Sequence, residues 1–255
     1  MSWSESQNEI RQRQLMVQQQ LRGRGISDEK VLRIMGRLPR QHFIPAAHRS
    51  EAYFDQPVPI GLGQTISQPY IVALMTEKLQ LQPSHLVLEI GTGCGYQTAI
   101  LAQQARRIYT IERIETLAHQ ARYNLTALNI TNVEYYVGDG TLGWPRPLAG
   151  EAAASEENST PDQKEIGVKA EKPQASKKPL TAAFNRVLVA AAPEVVPPAL
   201  LDQLADDGKM VIPVGPPHDQ RLLLLEKKID QNRQIKIKET LLCYCRFVKL
   251  ICNSD

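Results

Sequence analysis

Three glycines at alternate positions follow an apolar run and open a stretch with helical spacing. The segment reads VLEIGTGCGYQTAIL over residues 87–101, which places Gly91, Gly93 and Gly95 between a predicted strand and a predicted helix. Glycine lets the backbone turn sharply and approach a ligand closely. In an open parallel sheet, ligands bind at the carboxyl ends of strands, where this turn falls. The segment therefore predicts a site for a nucleotide-like ligand.

Carboxylates accompany these glycines at three strand ends. Glu112 ends the second predicted strand, where it can accept hydrogen bonds from ribose hydroxyls. Asp139-Gly140 follows the third strand, where a carboxylate can accept from an adenine amino group. Asp-Gly is also a common turn pair, but the position after the third strand favours a binding role. Glu89 lies near the loop and suits a cationic group of the ligand, directly or through water.

The spacing of the glycines distinguishes between nucleotide-like ligands. A nicotinamide fingerprint, GxGxxG, would need glycine where the chain has Tyr96. A phosphate-binding loop would need a GK[ST] sequence after the glycines, and none follows. The pattern ExGxGxG is instead similar to that of S-adenosylmethionine-dependent methyltransferases. The residues expected to hold this methyl donor are Glu89, Gly91, Thr92, Gly93, Gly95, Glu112, Asp139 and Gly140.

The elements around the glycines alternate between strands and helices. Strands are expected at residues 85–90, 107–112, 132–137, 184–191 and 208–214. Helices are expected at residues 96–104, 114–128 and 196–204. This alternation predicts a parallel sheet with crossover helices. Two long alternating runs, 220–227 and 235–251, predict an antiparallel pair at the end of the sheet.

Two helices are expected ahead of the sheet. Residues 5–22 have roughly helical apolar spacing and are followed by Gly23 and Gly25, which end a helix. Ser27 is the expected N-cap of the second helix. Pro39 ends that helix.

An irregular segment over residues 40–69 follows, and long irregular segments are often functional. It contains GLGQTISQP before a helix at 70–79. Gln64, Thr65 and Ser67 are its small, uncharged polar side chains. The hydroxyl residues are either turn formers or ligands.

Residues 150–180 interrupt the sheet pattern. They are almost entirely Ala, Glu, Ser, Lys, Pro, Gln and Asp, which cannot bury enough apolar surface to offset the entropy of ordering. We interpret them as a disordered surface insertion, since the strand pattern resumes afterwards. The expected organisation is a single compact unit, with N-terminal helices and a substrate loop in residues 1–79 packed on a core in residues 80–255.

Composition excludes several classes of protein. The 255 residues are 42% apolar and carry a net charge of +3 with both signs mixed, which argues against a dedicated nucleic-acid binder. No run of about 18 apolar residues predicts a membrane span, and the polar N-terminus predicts no signal peptide. The four cysteines form no CxxC pair and have no histidine at metal-ligand spacing. We therefore expect a cytoplasmic protein without a metal, a membrane or a nucleic-acid partner.

Longer segments carry a resemblance to a known family. The chain resembles the protein-L-isoaspartate O-methyltransferase family in GQTISQP, VLEIGTGCGYQTAILA, IERI, NVEYYVGDG and RFV. The similarity runs from about Arg22 to Leu250, apart from the insertion. ExGxGxG alone indicates only the methyltransferase superfamily. TISQP is far more specific, as is the AYFDQPVPIG that precedes it.

The resemblance implies a Rossmann-like α/β fold, with a mostly parallel sheet, helices on both faces and an N-terminal helical extension. It implies methyl transfer from S-adenosyl-L-methionine to the free α-carboxyl of L-isoaspartyl residues in damaged proteins and peptides. The ester then closes to a succinimide, which starts repair. By the same resemblance, Ser67 occupies the position of the family's active-site serine. Gln64 and Thr65 lie beside it at the donor and substrate cleft, and we expect them to contact the methyl donor. We expect the enzyme to act as a monomer.

Three positions depart from the family's pattern. Asn185 stands where an acid is usual, Ala190 replaces a threonine, and Lys249 stands where proline is common. These changes leave two alternatives open. One is a related methyltransferase with another carboxylate or small-molecule acceptor. The other is a donor-binding interaction module without catalysis.

Overall fold

The computed structural model describes residues 5–145, 148, 184–230 and 234–252. The predicted insertion at 150–180 lies outside the described residues. The described helices are α1 Gln7–Leu15, α2 Glu29–Arg37, α3 Pro69–Leu79, α4 Tyr96–Ala102, α5 Glu115–Ala127 and α6 Pro198–Asp202. The strands are β1 Val58–Gly61, β2 Gln64–Ile66, β3 Leu86–Ile90, β4 Arg107–Glu112, β5 Val133–Val137, β6 Phe184–Val189, β7 Leu204–Val214, β8 Gln220–Ile229 and β9 Ile235–Cys245.

Seven strands form one sheet in the order β5-β4-β3-β6-β7-β8-β9. The five strands from β5 to β7 in that order are parallel, and β8 and β9 join antiparallel. The chain builds outward from β3 to β5 on one side and then returns to place β6 on the other side of β3. The order of the strands therefore reverses between β3 and β6, which is where open α/β sheets bind ligands.

The carboxyl ends of the central strands lie level with one another. Ile90 pairs with Ile111 of β4 and with Val189 of β6. Backbone hydrogen bonds continue for one residue beyond β3 and β6. Gly91 N–H donates to the Ile111 carbonyl (2.8 Å), and Ala190 N–H donates to the Ile90 carbonyl (2.8 Å). This register brings the loops that follow β3, β4 and β6 to one edge of the sheet.

The two faces of the sheet are covered unequally. One face packs against α3, α4, α5 and the N-terminal helices in a cluster that includes Met35, Met75 and Ile100. On the other face, α6 is the only helix in the described part of the chain that adds a fully buried residue, Leu200. Trp144 completes that second core, where its ring packs edge to face on Tyr109 with the ring centroids 5.0 Å apart. The expected mostly parallel sheet with helices on both faces is confirmed.

The N-terminal segment keeps a helical backbone but changes type. After α1, residues Met16–Leu21 form a π-helical turn and Arg22–Arg24 a 3₁₀ turn. Gly25 ends this run with φ +93°, as its sequence position predicts.

The predicted N-cap of α2 is wrong by one residue. Asp28 caps the helix, because its Oδ1 accepts from the N–H groups of Lys30 (2.8 Å) and Val31 (3.3 Å). Ser27 instead donates its N–H to Glu77 Oε1 (2.8 Å), which links the start of α2 to α3. Serine and aspartate both cap helices, so the residue types alone do not decide between Ser27 and Asp28. The contact of Ser27 with Glu77 in α3 decides it.

The prediction of an irregular segment at 40–69 is also wrong. β1 and β2 form an antiparallel hairpin within it, in which Val58 pairs with Ile66. Residues 61–63 at its tip all have positive φ. Glycine adopts that conformation freely, so Gly61 and Gly63 permit the tight turn. The segment before the hairpin consists largely of two 3₁₀ turns, Arg40–Phe43 and Ala46–Glu51.

Boundaries differ most in the last third of the chain. α6 is shorter than the predicted helix, and β7 begins at Leu204 instead of residue 208, because Leu204 already pairs with Phe184 of β6. β9 ends at Cys245, six residues before the predicted end. The chain then crosses to the central strands, where Lys249 bridges to Ala192. No helix among the described residues has the length and apolar character needed to cross a bilayer.

Candidate active site

A cleft of about 970 Å³, including its open mouth, lies at the carboxyl edge of β3, β4 and β6. The residues that line it come from the hairpin, α3, the loop after β3 with the start of α4, the ends of β4, β5 and β6, and the C-terminal segment. Most of the residues singled out from the sequence line this cleft, namely Gln64, Thr65, Ser67, Gly91, Thr92, Gly93, Glu112 and Gly140. The sequence-derived site is thus brought together in one place.

The glycine loop forms one wall of the cleft. Gly91 has φ +90°, and a Cβ added there would lie 3.4 Å from the Ala190 Cβ. Gly93 has φ +55°, and its N–H donates to Glu112 Oε2 (2.9 Å). Both positions need the left-handed backbone that side chains disfavour. The loop therefore presents bare backbone to the cleft.

Glu112 is held at the end of β4 by main-chain donors on both of its oxygens. Oε2 accepts from Gly93 N–H, and Oε1 accepts from Ile114 N–H (2.9 Å). The residue is largely buried, yet it lines the cleft. Each carboxylate oxygen has a further lone pair. Glu112 can therefore accept hydrogen bonds from ligand hydroxyls while its own orientation stays fixed.

Glu89 does not line the cleft. It is wholly buried, and its Oε2 accepts from Thr98 Oγ1 (2.6 Å) and Thr110 Oγ1 (2.7 Å). Thr110 Oγ1 also lies 2.6 Å from Thr92 Oγ1, and Thr92 does line the cleft. Burial raises the pKa of Glu89 to about 7, against the two threonine hydrogen bonds, which lower it. Glu89 is thus linked to the cleft through Thr110 and Thr92, and its own side chain does not contact the cleft.

Asp139 and Gly95 also lie behind the cleft wall. Asp139 Oδ1 accepts from the N–H (2.8 Å) and Oγ1 (2.7 Å) of Thr141 and so caps a 3₁₀ turn. Its neighbours Gly138 and Gly140 line the cleft. Gly95 begins α4 with φ +86°, and a Cβ there would lie 3.2 Å from the Ala121 Cβ. Gly95 is therefore needed for the approach of α5.

Gly140 has no room for a side chain. A Cβ added there would collide with the Ile90 side chain at the end of β3. The β5 loop can approach the central strand because this position is glycine.

Several lining residues were missed from the sequence. Apolar walls come from Val72 and Met75 of α3 and from Ile111 and Ile114 on either side of Glu112. The apolar residues beside Glu112 are a signal that was available in the IERI segment. The α3 residues gave no such signal, because an apolar residue on the buried face of a helix looks the same in the sequence whether it lines a cleft or packs in the core. The remaining wall is the C-terminal segment, residues 248–251.

The three departures from the family's pattern lie in different places. Asn185 is at the amino end of β6, at the edge opposite the cleft, where its Oδ1 accepts from Leu86 N–H (2.8 Å). It therefore ties β3 to β6 and does not touch the cleft. Ala190 and Lys249 both line the cleft. No group of His, Cys, Asp and Glu side chains in the described ranges could hold a metal ion.

Comparison with known proteins agrees with this geometry. The family model for protein-L-isoaspartate(D-aspartate) O-methyltransferase matches residues 11–149 and 176–254. The chain belongs to this family. The match covers the hairpin, the glycine loop and the C-terminal segment that together line the cleft, and it leaves residues 150–175 unmatched.

Relatives in this family are similar over nearly the whole chain. A protein-L-isoaspartate O-methyltransferase of Trichlorobacter lovleyi is 44% identical over 94% of this chain and 93% of its own length. Another from Koribacter versatilis is 42% identical over 94% of this chain and 90% of its own length.

A solved structure supports the fold. A Plasmodium falciparum chain described as a protein-L-isoaspartate O-methyltransferase in complex with S-adenosyl-L-homocysteine superposes with a TM-score of 0.67. The superposition covers 94% of this chain and 98% of that one, at 22% identity. The fold of the protein is thus that of a Rossmann-like methyltransferase of this family.

Proposed function

We propose that the protein transfers a methyl group from S-adenosyl-L-methionine to the free α-carboxyl of L-isoaspartyl residues in damaged proteins and peptides. The methyl ester then closes to a succinimide, which starts repair. One observation carries the assignment: the GQTISQP hairpin and the glycine loop, far apart in sequence, line a single cleft with Glu112. Membership of the family supplies the reaction that such a cleft performs.

The wall formed by the glycine loop and Glu112, here called the donor side, fits S-adenosyl-L-methionine. Glu112 offers acceptor lone pairs for ribose hydroxyls, and Ile111 and Ile114 beside it offer apolar surface for a base. The bare backbone at Gly91 and Gly93 leaves room for close approach. When bound, the donor supplies a methyl group on a positively charged sulfur. We propose further donor roles for Thr92, for Gly140 and, from behind the wall, for Glu89, Gly95 and Asp139.

The acceptor side needs no strong base. A carboxyl group is already ionised at neutral pH, so its oxygen is a nucleophile without proton removal. The protein's task is to hold that oxygen in line with the methyl group, and such positioning can supply several kcal/mol of barrier lowering. Neutral donors suit this task, because they orient a carboxylate without forming the tight ion pair that a cationic side chain at contact distance would.

Ser67 and Thr65 are the candidates for those donors. Both line the cleft, Ser67 half-buried at the end of the hairpin and Thr65 exposed at its side. We propose that the Ser67 hydroxyl donates to the acceptor carboxylate and that Thr65 and Gln64 border the same position. No side chain of the described part of the cleft wall other than Glu112 carries a negative charge. Repulsion of an incoming carboxylate is therefore small.

The test is labelled methyl transfer to an isoaspartyl peptide and to its aspartyl twin, which differ only in the linkage at one residue. We expect transfer to the isoaspartyl peptide alone, followed by slow release of the label as the ester closes to a succinimide. Equal transfer to both peptides would contradict the proposal. Transfer to neither, with S-adenosylmethionine binding retained by calorimetry, would favour a donor-binding module. The expectations of a monomer in the cytoplasm, without nucleic acid or membrane, stay predictions.

A further inference from the structure

Arg40 is a buried cation without a carboxylate partner among the described residues. It lies in the 3₁₀ turn Arg40–Phe43 and is 0% exposed. Its Nε donates to the Ala52 carbonyl (2.8 Å), and its Nη2 donates to the Ser67 carbonyl (2.8 Å). Nη1 has no hydrogen-bond partner of normal length and angle within the described ranges. A cation in such a place is unusual, because buried charges are normally paired.

A second buried arginine shows the ordinary arrangement. Arg13 is 5% exposed and forms an ion pair with Glu5. Burial alone would lower the pKa of Arg13, but the Glu5 hydrogen bond raises it overall. Burial lowers the pKa of Arg40, with no carboxylate to oppose it. An arginine nevertheless keeps its proton in proteins, so Arg40 is a fixed positive charge whose cost is offset only in part.

The charge lies directly behind the acceptor side of the cleft. Ser67, whose carbonyl Arg40 binds, lines the cleft, and so does Tyr96, whose ring centroid is 5.0 Å from the guanidinium carbon. Arg40 itself is not part of the lining. A ligand at Ser67 would therefore feel the charge through one layer of side chains without touching it.

We propose that Arg40 is a positioning residue for the acceptor carboxylate. Its guanidinium fork fixes the Ser67 main chain against Ala52, and its charge draws the carboxylate to the Ser67 side of the cleft. The inference rests on the proposed function, since only an anionic acceptor would gain from the charge. The role accounts for a buried cation that has no carboxylate partner among the described residues.

The charge of Arg40 and its hydrogen bonds to main-chain carbonyls should affect different kinetic constants. Methyl transfer from a sulfonium to a carboxylate removes both charges, so a nearby cation stabilises the bound carboxylate more than the transition state. The charge should therefore act on peptide binding and KM. The fork should act on kcat, because it sets where the Ser67 hydroxyl lies. Lysine keeps the charge but lacks the planar fork, and methionine lacks both.

Arg40→Lys and Arg40→Met are compared with Lys227→Met. Lys227 is the matched control: it is 4% exposed, and its Nζ donates to two carbonyls, of Leu201 and Leu204 (both 2.7 Å). It lies near the end of β8 and contacts the start of β7, at the edge of the sheet opposite the cleft. Losing it should cost stability and leave kcat, KM and peptide binding unchanged.

The measurements are kcat, KM and the Kd of an isoaspartyl peptide in the presence of S-adenosyl-L-homocysteine. For Arg40→Met we expect the peptide to bind about tenfold more weakly, as for the loss of one charge interaction near a protein surface. For Arg40→Lys we expect peptide binding close to wild type and kcat about tenfold lower. Binding of S-adenosyl-L-homocysteine alone should not change in either variant.

Two results would overturn the inference. One is an Arg40→Met protein that binds the peptide as tightly as wild type. The other, decisive if Arg40→Met does not fold, is a folded Arg40→Lys protein with unchanged kcat. Both differ from failure of the proposed function, in which the wild-type protein itself would transfer no methyl group to the isoaspartyl peptide.

Discussion

The two sides of the cleft are built in different ways. The proposed donor side consists of loops that leave adjacent parallel strands, so the register of β3 against β4 already brings Gly93 to Glu112. The proposed acceptor side comes from a segment that precedes the sheet. It is held by a hairpin and by side chains such as Arg40, which reaches Ser67 across 27 residues of sequence. One side follows from sheet topology, and the other depends on a few long-range contacts.

This difference has a consequence for how each side responds to substitution. A donor-side residue is supported by main-chain hydrogen bonds, so its replacement should change the affinity for the donor and little else. An acceptor-side residue positions the peptide carboxylate, so its replacement should change turnover or peptide binding and leave the affinity for the donor unchanged. Substitutions that change only donor affinity or only turnover would support this division of the cleft. A substitution that changes both equally would contradict it.

Ser67→Ala should have the largest effect on turnover. Removing the hydroxyl takes away the group proposed to hold the acceptor oxygen in line with the methyl group, and such positioning can be worth several kcal/mol. We therefore expect kcat to fall roughly 10- to 100-fold, with the Kd of S-adenosylmethionine within about twofold of wild type. Methyl-transfer kinetics and calorimetry measure the two quantities. Ser27→Ala is the control, because Ser27 is an exposed serine between α1 and α2. Unchanged turnover in Ser67→Ala would remove the proposed role.

Glu112→Gln should have the opposite effect. An amide has one acceptor oxygen, yet the carboxylate of Glu112 accepts from Gly93 and Ile114 on separate oxygens. One main-chain donor would then face an amide NH₂ group, and the ribose would lose an acceptor. We expect the Kd of S-adenosylmethionine to rise about tenfold, with kcat at saturating donor little changed.

Glu115→Gln, an exposed neighbour at the start of α5, is the control for this change. A fall in saturated kcat with unchanged donor affinity would contradict the division of the cleft into two sides.

Glu89→Gln should change stability more than activity. Because burial raises the pKa of Glu89 to about 7, the folded protein holds a proton that the unfolded chain releases near pH 4.5. Stability contributed by this group is therefore present at low pH and lost as pH rises to about 7. Glutamine does not titrate, so the variant should gain about 1.4 kcal/mol relative to wild type for each pH unit in that window.

Urea unfolding of both proteins at intervals from pH 4.5 to 8 measures this difference. Thr98→Val sharpens the test, because losing the hydrogen bond that lowers the pKa of Glu89 should move the window to higher pH. Parallel stability curves for wild type and Glu89→Gln would contradict it. Donor affinity should change only a few fold, since Glu89 reaches the cleft through Thr110 and Thr92.

Strand alternation and the glycine spacing are local signals, and the residues that they single out, Gly91, Gly93 and Glu112, line one cleft in the structure. Their role in donor binding stays a prediction. The same pattern could not place Glu89, because a central parallel strand is buried on both faces. The hydroxyls of Thr98 and Thr110 that bind its carboxylate come from other elements.

Arg40 was missed for a related reason. Nothing in the spacing of residues 40–69 marks the one arginine whose fork closes on Ser67, and the hairpin there depends on positive φ at Leu62 as well as at two glycines. Contacts between distant segments leave no periodic trace in the sequence.

Residues 150–180 should affect neither side of the cleft. The described chain before them is fixed independently: Trp144 exchanges main-chain hydrogen bonds with the Gln203 side chain (2.7 and 2.9 Å), and its ring packs on Tyr109. The chain after them enters β6 at Phe184, which pairs with β7. The family model also leaves residues 150–175 unmatched. We propose that this segment is an insertion that neither folding nor catalysis needs.

Replacing residues 150–180 with a six-residue Gly-Ser linker tests this proposal. We expect kcat, both KM values and the Tm to stay near wild type, because the flanking contacts hold the two ends of the gap in one core. Trp144→Ala is the control that should lower the Tm, since it removes a buried aromatic side chain at a cost of about 3–5 kcal/mol. If the replacement raises the KM for the peptide alone, the segment belongs to the acceptor side. The acceptor side would then depend on one more long-range contact, whereas the geometry of the donor side would still be set by the strands of the sheet alone.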